Sequence, residues 1–254
     1  GTTTNVRQTT AEALTDNRTV NSLVLDSSSG SAFTLGLGGN TLTLNSGVMM
    51  ARGGNGHILN VGTSVGDGFL DLNGGEGILY TTSSHSYGNT TVKVNSVVQN
   101  GSLTKSGYAI LELHADNTFT GPLVVNSGGG NGADNALYIY GTQATEDIRL
   151  HGSTTYLMGS DRLLASASLT VNAGATLYLQ STYDQTLTDV DNGPDGGGYI
   201  KGTGTANNTL TLNPVAGDVD FFSGTFQSLE VRKTGANIFN FNGSFSGANM
   251  VYDD

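Results

Sequence analysis

Two ionisable side chains near residue 112 have the spacing of an acid–base pair. Glu112 and His114 alternate with leucines, so on a strand of period two they share the outward face. Asp116 adds a second carboxylate, and Asp71 and Glu76 form a similar acidic pair elsewhere. Paired carboxylates can cleave glycosidic bonds, but nothing distinctive surrounds either group. We therefore predict no catalytic residues and no enzymatic activity.

Three aspartates on a glycine-broken segment form the best candidate metal site. Asp189, Asp191 and Asp195 lie in the run Asp-Val-Asp-Asn-Gly-Pro-Asp-Gly at 189–196. Asp-x-Asp-x-Asp-Gly loops bring carboxylates together around Ca²⁺. Here the third aspartate is displaced and no glutamate stands at the twelfth position, so an acidic, solvated insertion at a corner is the alternative. We predict Ca²⁺ as the candidate cofactor, with these three aspartates as its ligands.

Tyrosines form a candidate carbohydrate site. Tyr138 and Tyr140 flank Ile139, so both are expected on the exposed face of one strand. Aromatic rings of this kind stack on sugars. The same outward stripe is predicted to include Tyr178, Tyr183 and Tyr199. The alternative is that these are ordinary tyrosines of a sheet surface, without a ligand.

Composition excludes several classes of partner. The chain has 10 Lys and Arg against 21 Asp and Glu, a formal charge of −11, which is unsuited to binding nucleic acid or anionic membranes. Cysteine is absent, so disulfides and thiolate metal sites are excluded. The four histidines lack the spacing of metal ligands: His57, His85, His114 and His151. No run of 18 apolar residues occurs, so no membrane helix is predicted.

Short apolar pairs at a period of two recur along the chain and predict an all-β protein. Gly, Asn, Asp and Ser fill nearly all the gaps between the pairs and supply the turns. Such spacing also fits an antiparallel sandwich. The predicted inward pairs are Leu23/Leu25, Phe33/Leu35, Leu42/Leu44, Leu59/Val61, Leu70/Leu72, Val92/Val94, Leu111/Leu113, Leu123/Val125, Leu137/Ile139, Ile148/Leu150, Leu169/Val171, Leu177/Leu179, Leu210/Leu212 and Phe239/Phe241.

Repetition favours a solenoid over a sandwich. Residues 103–113 read Leu-Thr-Lys-Ser-Gly-Tyr-Ala-Ile-Leu-Glu-Leu, and residues 231–241 read Val-Arg-Lys-Thr-Gly-Ala-Asn-Ile-Phe-Asn-Phe, 128 positions later. Asn-Thr-Phe-Thr-Gly at 117–121 and Leu-Val-Val-Asn-Ser-Gly at 123–128 follow the first copy. One repeat cannot bury its apolar face alone, but stacked repeats share a continuous core. Roughly 20–28 residues per turn would give about 9–12 turns.

These motifs resemble the passenger-associated repeat of bacterial autotransporters, Leu-Thr-Lys-x-Gly-x-Gly-x-Leu-x-Leu followed by Asn-Thr-Tyr-Thr-Gly. The resemblance covers most of residues 20–247. It implies a single right-handed parallel β-helix that is exported to the cell surface. The chain lacks the outer-membrane translocator of that family and opens at Gly1 without an apolar leader. We therefore expect an extracellular or cell-surface protein whose signal peptide has been removed.

Two regions are predicted. Residues 1–20 form an N-terminal arm or cap, with a helical turn at 10–14, and residues 21–254 form the β-helix. A mobile terminus is the alternative for the first region.

The resemblance implies a non-catalytic structural or adhesive protein. One form of this is a fibre subunit that joins end to end through terminal strands. The alternatives are a carbohydrate-binding module and a polysaccharide lyase or hydrolase built on a β-helix. The expected partners are further copies of the chain and surface glycans.

Overall fold

The computed structural model describes residues 4–83, 90–127, 135–204, 208–215 and 220–253 of the 254-residue chain. These residues form an all-β protein in which parallel sheets stack as a β-solenoid of about 10 turns. The predicted parallel β-solenoid and its number of turns are confirmed. Each turn passes through three faces, named here face A, face B and face C, before it returns to face A one strand higher.

Face A is a sheet of nine successive strands, extended by two more after a short break. Its strands are β1 (Asn5–Gln8), β3 (Arg18–Asp26), β5 (Thr41–Gly53), β8 (Glu76–Ser83), β11 (Ser102–Gly107), β13 (Leu123–Asn126), β15 (Asp147–Leu150), β17 (Ser168–Val171) and β20 (Asp189–Asn192). Strands β23 (Asp220–Phe222) and β26 (Phe239–Phe241) continue this face. The continuation follows from the backbone N–H of Phe221, which donates to Asp191 Oδ1 across the break (3.1 Å).

Face B is a single ladder of eleven parallel strands. They are β2 (Glu12–Ala13), β4 (Phe33–Gly36), β6 (Ile58–Val61), β9 (Thr91–Val94), β12 (Ile110–Leu113), β14 (Leu137–Ile139), β16 (Ser153–Leu157), β18 (Ala175–Leu179), β21 (Tyr199–Lys201), β24 (Thr225–Gln227) and β27 (Ser244–Ser246). Its in-register pairing places equivalent side chains above one another, as Leu111 lies between Val92 and Leu137.

Face C is less regular, because single bridges replace strands in its middle. The first halves of β3 and β5 begin it, and β7 (Phe69–Asp71) and β10 (Val97–Gln99) follow. Bridges at Asn117, Gln143 and Leu163 lead to the later strands. These are β19 (Gln185–Leu187), β22 (Thr209–Leu212), β25 (Glu230–Thr234) and β28 (Asn249–Asp253).

The core is a continuous apolar column, as the period-two pattern predicts. Thirteen of the fourteen predicted inward pairs are buried, from Leu23/Leu25 to Leu210/Leu212. The fourteenth, Phe239/Phe241, is partly buried and packs against the core in the last described turn. Each turn therefore gains its stability by covering the apolar side chains of the turn before it.

Buried amides replace apolar side chains along the middle of face C. Asn117 Nδ2 donates to Gln143 Oε1 (3.0 Å), and Gln143 Nε2 donates to the backbone oxygen of Gly141 (3.0 Å). Gln185 continues the row, because its Oε1 accepts from the backbone N–H of Leu163 (3.1 Å). This amide ladder satisfies the backbone groups that a strand would otherwise pair.

The N-terminal segment forms the first turn of the solenoid. Strand β1 pairs in parallel with residues 22–25, and the short β2 pairs with Leu35 and Gly36. The helical turn predicted at 10–14 is wrong, because this pairing places Glu12 and Ala13 in a strand. The pairing energy of the sheet edge outweighs the weak local helix propensity of five residues.

Candidate functional site

The ionisable group on face B is a compact ion-pair cluster. Glu112 Oε2 lies 2.7 Å from His114 Nε2 and 3.2 Å from Lys93 Nζ, one turn below. The His114 ring stacks on Tyr140, one turn above, with centroids 4.3 Å apart. Burial alone raises the pKa of Glu112, but the hydrogen bond from His114 and the charge of Lys93 hold this pKa below its usual value. Glu112 is therefore an ionised structural partner in this cluster.

The second carboxylate predicted beside Glu112 has a different partner. Asp116 Oδ1 accepts a hydrogen bond from the backbone N–H of Thr142 (2.7 Å), at the corner that leads to face C. Hydrogen bonds from Thr142 lower the pKa of Asp116. The other acidic pair is also engaged: Asp71 accepts from Gln99 and Asn100, and Glu76 from Thr104. Each carboxylate thus stabilises its own corner or strand.

The predicted tyrosine stripe exists in part, as a ladder on the outer side of face B. Tyr138 stacks on Tyr156 with centroids 4.6 Å apart and planes 13° apart, and Tyr156 contacts Tyr178 at 5.4 Å. Tyr140, two residues after Tyr138, is outside this ladder and stacks on His114. Tyr199 lies beside Lys201, whose Nζ is 4.5 Å from the ring centroid. One face of the Tyr138 ring is therefore occupied by the Tyr156 ring.

Sequence reasoning missed Tyr156, the centre of this ladder. Its strand carries Thr155 at an inward position, where the two neighbouring strands carry Leu137 and Leu177. A search for apolar pairs therefore passes over this turn. The signal that identifies it is the register, since Tyr156 aligns with Tyr138 and Tyr178.

The three predicted calcium ligands each have a separate protein contact. Asp189 Oδ2 accepts from Ser168 Oγ (2.9 Å), and Asp191 accepts from the backbone of Phe221. Asp195 Oδ2 accepts from Asn172 Nδ2 (3.0 Å) in the following corner. Among the described residues, no three His, Cys, Asp or Glu side chains form a group that could hold a metal ion. Calcium binding stays a prediction for these aspartates.

The three histidines that the structure describes, His57, His114 and His151, lie at separate places in the fold. His57 Nδ1 lies 3.0 Å from Ser27 Oγ and accepts from the backbone N–H of Gly54. His151 is exposed after β15, and His85 lies outside the described residues, as does Gly128 of the repeat. In the part of the chain that the structure describes, no helix is long and apolar enough to span a membrane.

Sequence reasoning also missed a buried lysine in the core. Lys105 occupies the inward position between Leu79 and Val125 and is fully buried. Its Nζ donates to Ser127 Oγ (2.7 Å), Asn135 O (2.8 Å) and Gly107 O (3.1 Å). All three acceptors are neutral, and burial lowers the pKa of Lys105 to about 7. The ammonium group therefore ties together three backbone segments inside the core.

The last described turn has partly exposed apolar side chains at its inward positions. Phe245 lies in register with the buried Phe226 but is 39% exposed. Phe241 packs between them, 5.1 Å from Phe226 and 4.7 Å from Phe245 by ring centroids. Met250 lies in register with the buried Val231 and is partly buried. We name β26, β27 and β28 the C-terminal turn; its partly exposed apolar side chains make it the best candidate for a functional site.

Comparison with known proteins adds no assignment. Neither a family model, nor a curated protein, nor a solved structure matches this chain.

Proposed function

We propose that the chain is a non-catalytic structural or adhesive rod of a bacterial cell surface, and that it associates with further copies through its C-terminal turn. The observation that supports this function is the exposure of Phe245, at a position where Phe226 one turn earlier is fully buried. Exposed apolar side chains beside strand edges form a surface to which a strand of another copy can add.

The expected strength of this association follows from two contributions. Complete burial of a large apolar side chain contributes about 1.5–3 kcal/mol. Phe241 and Met250 are already partly buried and Phe245 is 39% exposed, so together they supply about 5 kcal/mol or less. Association costs about 4–15 kcal/mol in lost translational and rotational freedom. The strand edges must therefore add hydrogen bonds, and we expect association in the micromolar range or weaker.

Sedimentation velocity over a range from about 1 µM to about 1 mM tests this proposal. We expect the sedimentation coefficient of the unmodified chain to rise with concentration, and Phe245→Asp to abolish the rise. Val65→Asp is the matched control, because Val65 is also an exposed hydrophobic residue (63%) but lies far from the C-terminal turn. Negative-stain images at both extremes would show whether the assemblies are elongated. Separate single rods at every concentration would contradict the proposal.

The surface location rests on the resemblance of the repeats and on the absence of cysteine. Labelling of intact producing cells with a membrane-impermeant amine reagent tests it. Modification of the chain before lysis supports display at the surface, and modification only after lysis contradicts it.

Glycan binding is a second candidate function, favoured by the Tyr138–Tyr156–Tyr178 ladder on the outer side of face B. A row of phenol edges along the rod offers one hydroxyl per turn to an extended polysaccharide. A glycan array probed with the unmodified chain and with Tyr156→Ala tests this function. Binding that Tyr156→Ala reduces supports it, and no binding to any glycan opposes it.

A further inference from the structure

One outward column of side chains runs along face B from β4 to β27. Strand pairing places its ten members directly above one another, and two lysines and one glutamate are the charged residues among them. We name it the face B column; in chain order it comprises Thr34, Asn60, Lys93, Glu112, Tyr138, Tyr156, Tyr178, Lys201, Gln227 and Ser246.

The charge of this column differs from that of the whole chain. The chain has 21 Asp and Glu against 10 Lys and Arg, but the single acid of the column, Glu112, already contacts Lys93 and His114. At physiological ionic strength the Debye length is about 8 Å, which weakens the effect of acids on the other two faces. An acidic polymer can therefore approach face B. The neighbouring outward column is uncharged; it comprises Thr154, Thr176, Tyr199, Thr225 and Ser244.

Lys201 is the cation of the face B column that has no acidic partner. Among the described residues it forms no ion pair, and its Nζ lies 4.5 Å from the centroid of the Tyr199 ring. In the register of the sheet it follows Tyr178, the last ring of the tyrosine ladder. A lysine beside an aromatic ring keeps its positive charge and its hydrogen-bond donors. Lys201 is thus placed to bind an acid group of a ligand that lies along the ladder.

The tyrosine ladder supplies hydrogen-bonding groups beside this cation. Burial and the neighbouring Tyr178 raise the pKa of Tyr156, so its hydroxyl stays protonated at neutral pH and can both donate and accept. Successive rings from Tyr138 to Tyr178 have centroids 4.6 and 5.4 Å apart. The rise per sugar of an extended polysaccharide is close to this spacing. Successive sugars of a chain parallel to the rod axis would therefore each meet one tyrosine.

The number of cations selects among acidic polymers. From Tyr138 to Lys201 the column spans three strand spacings, or about 14 Å, and Lys201 is the single basic residue among these four described side chains. Nucleic acid binds chiefly through its phosphates and requires clustered lysines and arginines. A polysaccharide with carboxylates fits this stretch better, because its hydroxyl groups match the tyrosines and one carboxylate matches Lys201.

We infer that the face B column binds an acidic polysaccharide, which lies parallel to the rod axis with one carboxylate at Lys201. This inference rests on the second candidate function, since it names the ligand class of the Tyr138–Tyr156–Tyr178 ladder. The tyrosine hydroxyls bind the hydroxyl groups of the sugars, and Lys201 Nζ donates to the carboxylate. One partly exposed ion pair adds little affinity, so we expect an acidic chain to bind about fivefold more tightly than its neutral counterpart.

Tetrasaccharides of β-linked mannuronate and of β-linked mannose test this inference, because they differ only in the carboxylate that replaces each hydroxymethyl group. Four sugars match the four strands from Tyr138 to Lys201. A galacturonate tetrasaccharide is a second acidic probe. Calorimetric titration is carried out on the unmodified chain, Lys201→Met, Tyr156→Phe and Lys233→Met, after thermal unfolding has shown that each variant is folded. Lys233→Met is the matched control, because it removes the same charge from face C.

We expect Lys201→Met to lower the affinity for the mannuronate tetrasaccharide about fivefold and to leave that for the mannose tetrasaccharide unchanged. Tyr156→Phe keeps the stacked ring but removes its hydroxyl, so it should weaken the binding of both, and Lys233→Met should weaken neither. Binding of neutral glycans alone, or acidic binding that Lys201→Met does not reduce, would overturn the inference and leave glycan binding in place. If no tetrasaccharide binds and the glycan array is also negative, the second candidate function itself fails.

Discussion

The two copies of the Leu-Thr-Lys motif lie at different corners of the solenoid. Residues 103–113 run from face A to face B through β11 and β12, whereas residues 231–241 run from face C to face A through β25 and β26. In both copies a lysine at an inward position donates to the carbonyl of the glycine two residues later, Lys105 to Gly107 and Lys233 to Gly235. The same motif thus forms a corner from face A to face B in one copy and from face C to face A in the other.

The two copies differ in the residues that pack over the lysine from the next turn. Lys105 lies under Val125, and two more acceptors surround its ammonium group. Lys233 lies above Leu212 but has only the exposed Tyr252 beyond it among the described residues. The same local contact is therefore buried in one copy and hydrated in the other. Matched substitutions in the two copies therefore separate two contributions to the free energy of unfolding, that of the local Lys–Gly contact and that of burial under the next turn.

The largest difference in unfolding free energy between matched variants of the two copies is expected at the corner glycines. Gly107 has φ +87°, and a Cβ there would lie 2.1 Å from the backbone oxygen of Thr81. Because both the left-handed backbone and a neighbouring turn resist alanine, we expect Gly107→Ala to lower the free energy of unfolding by about 4 kcal/mol. Gly235 has φ +72°, but a Cβ there meets only the side chain of Asn213 (2.9 Å). Gly235→Ala should therefore cost about 1–2 kcal/mol.

Urea denaturation of both alanine variants measures this difference. Gly174→Ala serves as a third reference, because Gly174 has positive φ (+84°) with open space around its Cβ position. Equal losses for Gly107→Ala and Gly235→Ala would show that the stacked turn at Thr81 yields easily, contrary to this expectation.

The second prediction concerns the lysines themselves. Lys105→Met keeps most of the side-chain volume but removes the ammonium donor from three acceptors, of which Asn135 O keeps a hydrogen bond from Ser153 Oγ (2.9 Å). We therefore expect a loss of about 3 kcal/mol in the free energy of unfolding. Lys233→Met should cost less than about 1 kcal/mol, because water replaces the ammonium group there. Thermal and urea unfolding of the two variants measure the difference between their losses of stability. A stable Lys105→Met chain would mean that the core tolerates apolar replacement of this cation.

The period-two pattern predicts the core well, because burial on a solenoid strand depends on local alternation. Spacing alone is enough to place thirteen buried apolar pairs and the outward positions of Glu112, His114 and Tyr138. The same alternation places Lys105 inward, two residues after Leu103. A search for apolar pairs does not select it, because lysine is a charged residue. Its burial depends on Ser127 and Asn135, whose positions one turn away are not encoded in the spacing.

Relations between turns cannot be derived from the sequence for a similar reason. The offset of 128 residues between the two copies shows repetition, but turns differ in length, so the offset cannot give the face on which each copy lies. Likewise, the Tyr138–Tyr156–Tyr178 ladder needs the register of three strands. The apolar character of the C-terminal turn is readable from its phenylalanines.

The third prediction uses pH to separate the two lysines. The pKa of Lys105 is about 7 in the folded chain, against 10.5 for an ordinary lysine, so between these values the unfolded chain binds more protons. Stability contributed by Lys105 therefore rises with pH across this window, by about 1 kcal/mol between pH 7 and pH 8. Subtracting the pH profile of Lys105→Met removes the effect of all other groups. The matched difference for Lys233→Met should stay flat, and a flat profile for both would show that Lys105 titrates as if hydrated.

The smallest effect is expected when one acceptor around Lys105 is removed. Ser127→Ala deletes the hydroxyl 2.7 Å from Nζ but leaves the carbonyls of Gly107 and Asn135 in place. We expect a loss of about 1 kcal/mol and a shift of the rise in stability to lower pH, because the remaining site solvates the ammonium less well. Ser106→Ala is the control, since Ser106 lies on the outward side of the same strand. An unchanged pH profile in Ser127→Ala would assign the stabilisation of Lys105 to the two carbonyls alone. The shared Lys–Gly corner contact and the carbonyl of Asn135 would then be sufficient to hold the buried cation.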